Sequence, residues 1–431
     1  MTKMWNINTV FGIGQKGDDL HYVERSVDYE FIRNLSRDKH LCIYGSSKQG
    51  KTALRKRHIS SGEEIVIVCD PEWTANSLIA SVLKAANCKI ETTSKDVNSG
   101  KVGLNAGVGV KVKIPLFGEV AGSFGSGADS GEASEISYES LPVDLSDMAE
   151  IVKILKRVFI GKYVVIEEFH YLPEDVQKSF AIKLKALHEL SEFLFIIVGV
   201  WLEKNRLAHL NRDLTGRVAP INADEWGEDD LLKVIREGEL KLNIEFPPGF
   251  AEKLVKMACG SVYIVREVCY RACEINNVFN TENSLRKIKK TISIPTLLSE
   301  VSRDGADYQA QLISLMGIDG ARLHEQEEKE DLLKWVIRSL VFCGHSELRR
   351  GIPLNTLRAN IQKYHPRQYH PTANQIERIL LFIQSAQNKN MMNTLFDYDR
   401  QDKVVRCVDK GYILWRENTH IDSIKDFLEC A

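Results

Sequence analysis

The stretch that most constrains this chain is "HLCIYGSSKQGKTAL", residues 40–54. Leu41 to Tyr44 form an unbroken apolar run of the kind buried on both faces of a parallel sheet. Gly45 follows, then four residues, then Gly50-Lys51-Thr52 and a helix-forming run. Strand, glycine-bounded loop and helix in that order fit GxxxxGK[ST], whose backbone N–H groups turn inward around phosphate oxygens. On this reading Gly45, Ser46, Ser47, Lys48, Gln49, Gly50, Lys51, Thr52 and Ala53 form a nucleotide cradle. Lys51 reaches the β and γ phosphates, Thr52 offers its hydroxyl to Mg²⁺, and the expected cofactors are ATP and Mg²⁺.

Such a loop needs a partner that holds Mg²⁺ and prepares water, and "YVVIEEFHYL" at 163–172 supplies the candidates. Tyr163 to Ile166 read as a strand lying beside the first. Glu167 and Glu168 then stand at its carboxyl end, where open parallel sheets place their ligands. The usual order there is Asp then Glu. Glu167 is accordingly the expected outer-sphere Mg²⁺ carboxylate on the metal side, with an arm one methylene longer than usual, and Glu168 the base that polarises water. The alternative is a solvated acidic pair ending a strand.

The rest of the first half alternates. "EEIVIVCD", "FLFIIVGVW" and "RVAPIN" read as further strands, and "PEWTANSLIASVLKAANC", "SDMAEIVKILKRV" and "PEDVQKSFAIKLKALHEL" as helices, the second capped by Ser146. Strands alternating with helices predict a three-layer α/β domain over residues 1–222, with right-handed crossovers. Residues 223–290 carry amphipathic helices without buried strands, a helical lid on the same nucleotide. Residues 291–344 read as a charged helical linker.

Residues 345–418 read as helix, helix and β-hairpin, with the hairpin loop around Asp399 to Lys403, the order of a winged helix; residues 419–431 form a tail. This module holds 12 Lys and Arg against 7 Asp and Glu, whereas the 431-residue chain has 57 against 59. A polybasic coat for nucleic acid is thereby excluded, and any DNA contact must come from a local patch. DNA contact, protein contact with autoinhibition, and a different fold all stay open for this module. Residues 91–141 interrupt the rhythm: Val102, Leu104, Val108, Val110, Val112 and Ile114 alternate as in a strand, and a Gly/Ser-rich run follows. The choice there lies between a protruding β-hairpin that touches a partner and a surface excursion.

With these parts in this order, the chain resembles the AAA+ superfamily and its neighbours, the STAND signalling ATPases. Within AAA+ it looks most like the origin-recognition type, which also has an insertion between its second and third strands and a C-terminal winged helix. The resemblance implies that Tyr22 to Arg25, in "HYVERSVDYEF", pack near the adenine. It also implies an arginine given to a neighbouring subunit's γ-phosphate, either Arg212 or Arg217 in "NRDLTGRVAPI", with Arg217 preferred for its place next to the strand. The planar, permanently charged fork of arginine suits that task. Arg266 is the candidate lid arginine, in a spacing more like that of STAND proteins, and "VGVW" lacks the Asn, Thr or Ser of the expected sensor position.

Three functions fit these expectations: an ATPase that self-assembles and acts on a partner protein, a regulator of a DNA-binding module, and a sensor in bacterial antiviral defence gating a separately encoded effector. A DExH helicase is excluded because no second buried parallel sheet follows residue 223. The N-terminal sequence lacks a secretory pattern, no apolar run reaches membrane-spanning length and the 9 cysteines include no CxxC pair, so a cytoplasmic place without membrane, zinc or disulfide framework is expected.

Overall fold

A computed structural model describes residues 4–12, 21–91, 110–115, 138–289, 293–305, 307–317, 326–365, 370–390, 393–419 and 424. The core begins with α1 (Ile7–Val10) and α2 (Ser26–Leu35), and continues through β1 (His40–Tyr44), α3 (Lys51–His58), β2 (Glu64–Val68) and α4 (Ala75–Ala85). After β3 (Lys89–Glu91), β4 (Val110–Pro115) and β5 (Tyr138–Val143) come α5 (Met148–Val158), β6 (Tyr163–Glu167), α6 (Glu174–Leu190), β7 (Leu194–Val198), α7 (Arg206–Leu210) and β8 (Val218–Asn222).

The five long strands pair in the order β2-β6-β7-β1-β8, every pair parallel. The acidic strand β6 is therefore not beside β1, as the sequence led us to expect; β7 lies between them. Alternate residues of β1, β6 and β7 feed two cores. Leu41, Ile43, Val165, Ile196 and Val198 pack with Val27, Phe31 and Leu54 of α2 and α3. Cys42, Tyr44, Val164, Ile166, Phe195 and Ile197 pack with α4, α5 and α6 on the other face. This is the three-layer arrangement that unbroken apolar strands require. The cap of α5 is Asp147, whose side chain accepts from the Ala149 and Glu150 amides, rather than Ser146.

Strands β3, β4 and β5 form a separate antiparallel sheet. Val110, Val112 and Ile114 are buried in the same core as α4 and α5, so the described part of the insertion lies against the domain. Val102, Leu104, Val108 and residues 116–137 fall outside the described residues.

Beyond β8 the lid consists of α8 (Glu228–Leu242), β9 (Ile244–Glu245), α9 (Phe250–Met257), α10 (Val262–Ile275) and β10 (Arg286–Lys287). Its core takes in Ile7, Val10 and Phe11 from the start of the chain and Leu297, Leu298 and Val301 of α11 (Ile294–Gly305). A further core runs from Tyr308 to Ile424. It joins α12 (Tyr308–Met316), α13 (Gln326–Val341), α14 (His345–Arg350), β11 (Ile352–Pro353), α15 (Leu354–Tyr364), α16 (Ala373–Lys389), β12 (Phe396–Asp399), β13 (Val404–Cys407) and α17 (Lys410–Asn418). The antiparallel sheet β11-β13-β12 beside α15 and α16 is a winged helix. The hairpin ends at Cys407. "KGYILWREN" is helical, because Asp409 caps the Gly411 and Tyr412 amides.

Candidate functional site

The loop after β1 is shaped by backbone that few side chains tolerate. Gly45, Lys48 and Gly50 have φ of 144°, 60° and 86°, and a Cβ on Gly45 would lie 3.0 Å from Asp224 Oδ1. Asp224, just past β8, anchors the loop: the Ser46 amide donates to its Oδ1 at 2.8 Å and the Ser46 hydroxyl to its Oδ2 at 2.6 Å. Lys51 Nζ donates to the carbonyls of Gly45 at 3.0 Å and Ser46 at 2.6 Å. Burial holds this ammonium below its ordinary pKa, with Asp224, Glu168 and Glu167 opposing. A half-buried cation whose hydrogen bonds among the described residues go to loop carbonyls, in a cradle that rejects a Cβ at Gly45, fits phosphate.

At the end of β6 the two glutamates differ. Glu167 is buried, and the Arg55 Nε donates to its Oε1 at 3.3 Å. Desolvation raises its pKa and the Arg55 charge opposes the rise. Glu168 takes the left-handed conformation, φ 57° and ψ 34°, at a cost of about 1 kcal/mol for a non-glycine residue. Its Oε2 stands 3.4 Å from Nδ1 of His170, a buried ring whose pKa burial pushes down to about 3. That same Nδ1 accepts the Val200 amide at 3.3 Å, so His170 is a neutral packing residue that joins the acidic pair to the end of β7. The sensor position has no polar arm: a Cβ on Gly199 would lie 1.6 Å from the Trp201 ring.

Thr52 is exposed at the start of α3. No cluster of three or more His, Cys, Asp or Glu among the described residues could hold a metal alone. A Mg²⁺ here would rest on Thr52, Glu167 and phosphate oxygens, the sparse protein ligation that Mg²⁺ favours.

Tyr22 and Arg25 border the loop through intermediaries. Arg25 stacks over Trp226 at 3.8 Å and donates to the Ala223 and Glu225 carbonyls, while Trp226 Nε1 donates to the Gln49 carbonyl at 3.2 Å. Tyr22 donates to Asp28 at 2.7 Å, and His58 also contacts that carboxylate. Arg266 points elsewhere: its guanidinium donates to the carbonyls of Val10 and His21, and burial pushes its pKa down to about 10. It ties the lid to the start of the chain. The lid meets the phosphate loop instead through Ser261, which accepts from Gln49 Nε2 at 3.1 Å, and through Tyr263, whose ring lies 4.2 Å from Lys48 Nζ.

Arg217 donates to Glu189 at 3.0 Å and to the Asp213 carbonyl. Arg212 is exposed, with no ion-pair or hydrogen-bond partner for its side chain among the described residues.

Several contributors escaped the sequence reading. Arg55 and Asp224 are two. The others belong to the winged helix: Lys410 Nζ lies 3.7 Å from Asp224 Oδ2, and Asp397, 1% exposed, accepts the Leu202 amide at 2.8 Å. Asp397 also accepts from Gln384 and faces Arg206 at 3.7 Å. Leu381, Gln384, Ser385 and Asn388 of α16 face Tyr171, Pro173 and Glu174 across a cavity of about 360 Å³. The only prior signal was the placement of Arg55 one turn after Lys51 and of Asp224 directly after the last strand.

No protein-family model and no curated protein matches the sequence. Solved structures do resemble it. A Walker-type ATPase of Pyrococcus abyssi is 13% identical with a TM-score of 0.50, over 95% of this chain and 99% of that one. The Aeropyrum pernix Orc1 protein in complex with DNA is 12% identical with a TM-score of 0.40, over 98% of each chain. The Thermotoga maritima RuvB Holliday junction branch migration motor is 14% identical with a TM-score of 0.36, over 90% and 94%. The first likeness covers nearly the whole of both chains and shows the fold: a parallel α/β core with a P-loop, followed by a helical lid and a C-terminal winged helix.

Proposed function

We propose that this chain is an ATP-dependent switch of the AAA+ kind, in which the nucleotide state of the core decides whether the winged helix stays docked. The observation that carries the reading is that one loop, residues 45–51, is gripped from three sides: by Asp224 of the core, Ser261 of the lid and, through Asp224, Lys410 of the winged helix. Bound ATP with Mg²⁺ supplies the phosphoryl group and the charge that these residues answer. Lys51 leaves its loop carbonyls to neutralise phosphate oxygens, Thr52 and Glu167 serve the metal side, and the Glu168 carboxylate orients water and accepts its proton. Moving Lys51 changes the field at Asp224, and with it the hold on Lys410.

Self-assembly belongs to the same reading. Arg212, exposed and without a partner among the described residues, is better placed than Arg217 to reach a neighbouring copy. For the winged helix, a protein-facing role is favoured over DNA contact. Its helix α16 is turned toward the core, and its basic excess is partly spent on Glu417, Glu174, Asp399 and Asp402. Release from the core would free α16 for a separate partner protein, such as a defence effector, or for DNA.

Glu168→Gln tests the reading. We expect ATP binding to persist while hydrolysis falls at least about 100-fold, with a larger ATP-dependent assembly in sedimentation. Unchanged hydrolysis in a protein that stays monomeric with ATP and Mg²⁺ would sink it.

A further inference from the structure

The metal-side glutamate has a buried partner that the switch reading does not require. Arg55 lies one turn beyond Lys51 on α3 and its side chain is 3% exposed. One nitrogen, Nη1, donates to both carboxylate oxygens of Glu64 at the start of β2. Another, Nε, donates to Glu167 Oε1 at 3.3 Å, and Glu167 Oε2 accepts no hydrogen bond from a described residue. Strands β2 and β6 run parallel with Glu64 opposite Tyr163 and Val68 opposite Glu167, so the guanidinium bridges the two ends of a strand pair.

A buried ion pair is weak grounds for stability, because desolvation offsets the Coulomb gain and apolar side chains of similar volume fill the space as well. A fixed fork does, however, orient a carboxylate. Glutamate carries its carboxylate about 1.5 Å farther from the backbone than aspartate does. Holding Oε1 restrains that longer arm and leaves Oε2 as the oxygen without a hydrogen-bond donor among the described residues. We infer that Arg55, anchored by Glu64, is a positioning residue for Glu167 and compensates for the extra methylene at the metal-side position. The inference rests on the ATP and Mg²⁺ reading of this site.

The test compares the affinity of a fluorescent ATP analogue with Mg²⁺ and in EDTA, alongside thermal melts, for the full-length protein. Arg55→Met should weaken the Mg²⁺-dependent gain about 10-fold or more, the usual effect of removing a residue that orients a metal ligand, and leave the affinity in EDTA unchanged. Arg55→Lys, which keeps the charge without the fork, should recover only part. In a Glu167→Asp background, Arg55→Met should cost nothing further. If Arg55→Met does not fold, Glu64→Gln, which loosens the anchor, should show a smaller loss of the same Mg²⁺-dependent quantity. Equal losses with Mg²⁺ and in EDTA, or a full Arg55→Met loss in the Glu167→Asp background, would overturn the inference. Absence of any Mg²⁺-dependent binding in the unaltered protein would instead remove the functional reading beneath it.

Discussion

The phosphate-loop edge and the seam between core and winged helix are built in opposite ways. At the edge, residues 45–52 are contiguous and positive-φ backbone at Gly45, Lys48 and Gly50 sets the shape, with Asp224 and Ser261 anchoring it through Ser46 and Gln49. At the seam single side chains bridge distant segments: Asp397 holds the Leu202 amide across 195 positions of sequence, and Lys410 faces Asp224. A ligand cradle can be local because phosphate is small. An interdomain latch has to be assembled from wherever the chain returns.

The largest effect should fall at the edge. Lys51→Ala removes the one ammonium among the described residues that is bonded to the loop carbonyls, and ATP affinity should drop about 100-fold, near 3 kcal/mol, as a charge-assisted contact is lost. Equilibrium binding of labelled ATP reads this directly. A drop below threefold would mean that the loop does not hold phosphate.

The shape of this edge was legible because the motif is its own scaffold: Gly45 and Gly50 announce the positive-φ backbone that the loop adopts. The buried strands and α6 were equally plain from their apolar spacing. Sheet order was not, because apolar runs say that β1, β6 and β7 are buried without saying which are neighbours. The helix α17 was missed because "YILW" is apolar throughout and Asp409-Lys410-Gly411 resembles a turn; only the Asp409 cap distinguishes it. Arg55, Asp224 and Asp397 were illegible for a simpler reason. Their roles come from partners that the fold alone brings near, with Glu167 at 112 positions from Arg55 and Ser46 at 178 from Asp224.

Two substitutions at the seam sharpen the comparison. Asp397→Ala strips an acceptor from the Leu202 amide, Gln384 and Arg206 in a buried setting, and should cost about 2 kcal/mol, seen as an earlier melting step of the winged helix. Arg400→Ala breaks an exposed pair with Glu174 at the same seam and should cost less than about 0.5 kcal/mol. Equal effects would mean that burial does not decide what holds the winged helix to the core.

The most direct test of the switch is amide hydrogen exchange on the Glu168→Gln protein with and without ATP and Mg²⁺, followed at both regions. The account predicts slower exchange in residues 45–54 together with faster exchange in 200–206, 381–390 and 396–412 as the seam opens. Protection of the loop with no change at the seam would contradict it, leaving a nucleotide site that does not control the winged helix.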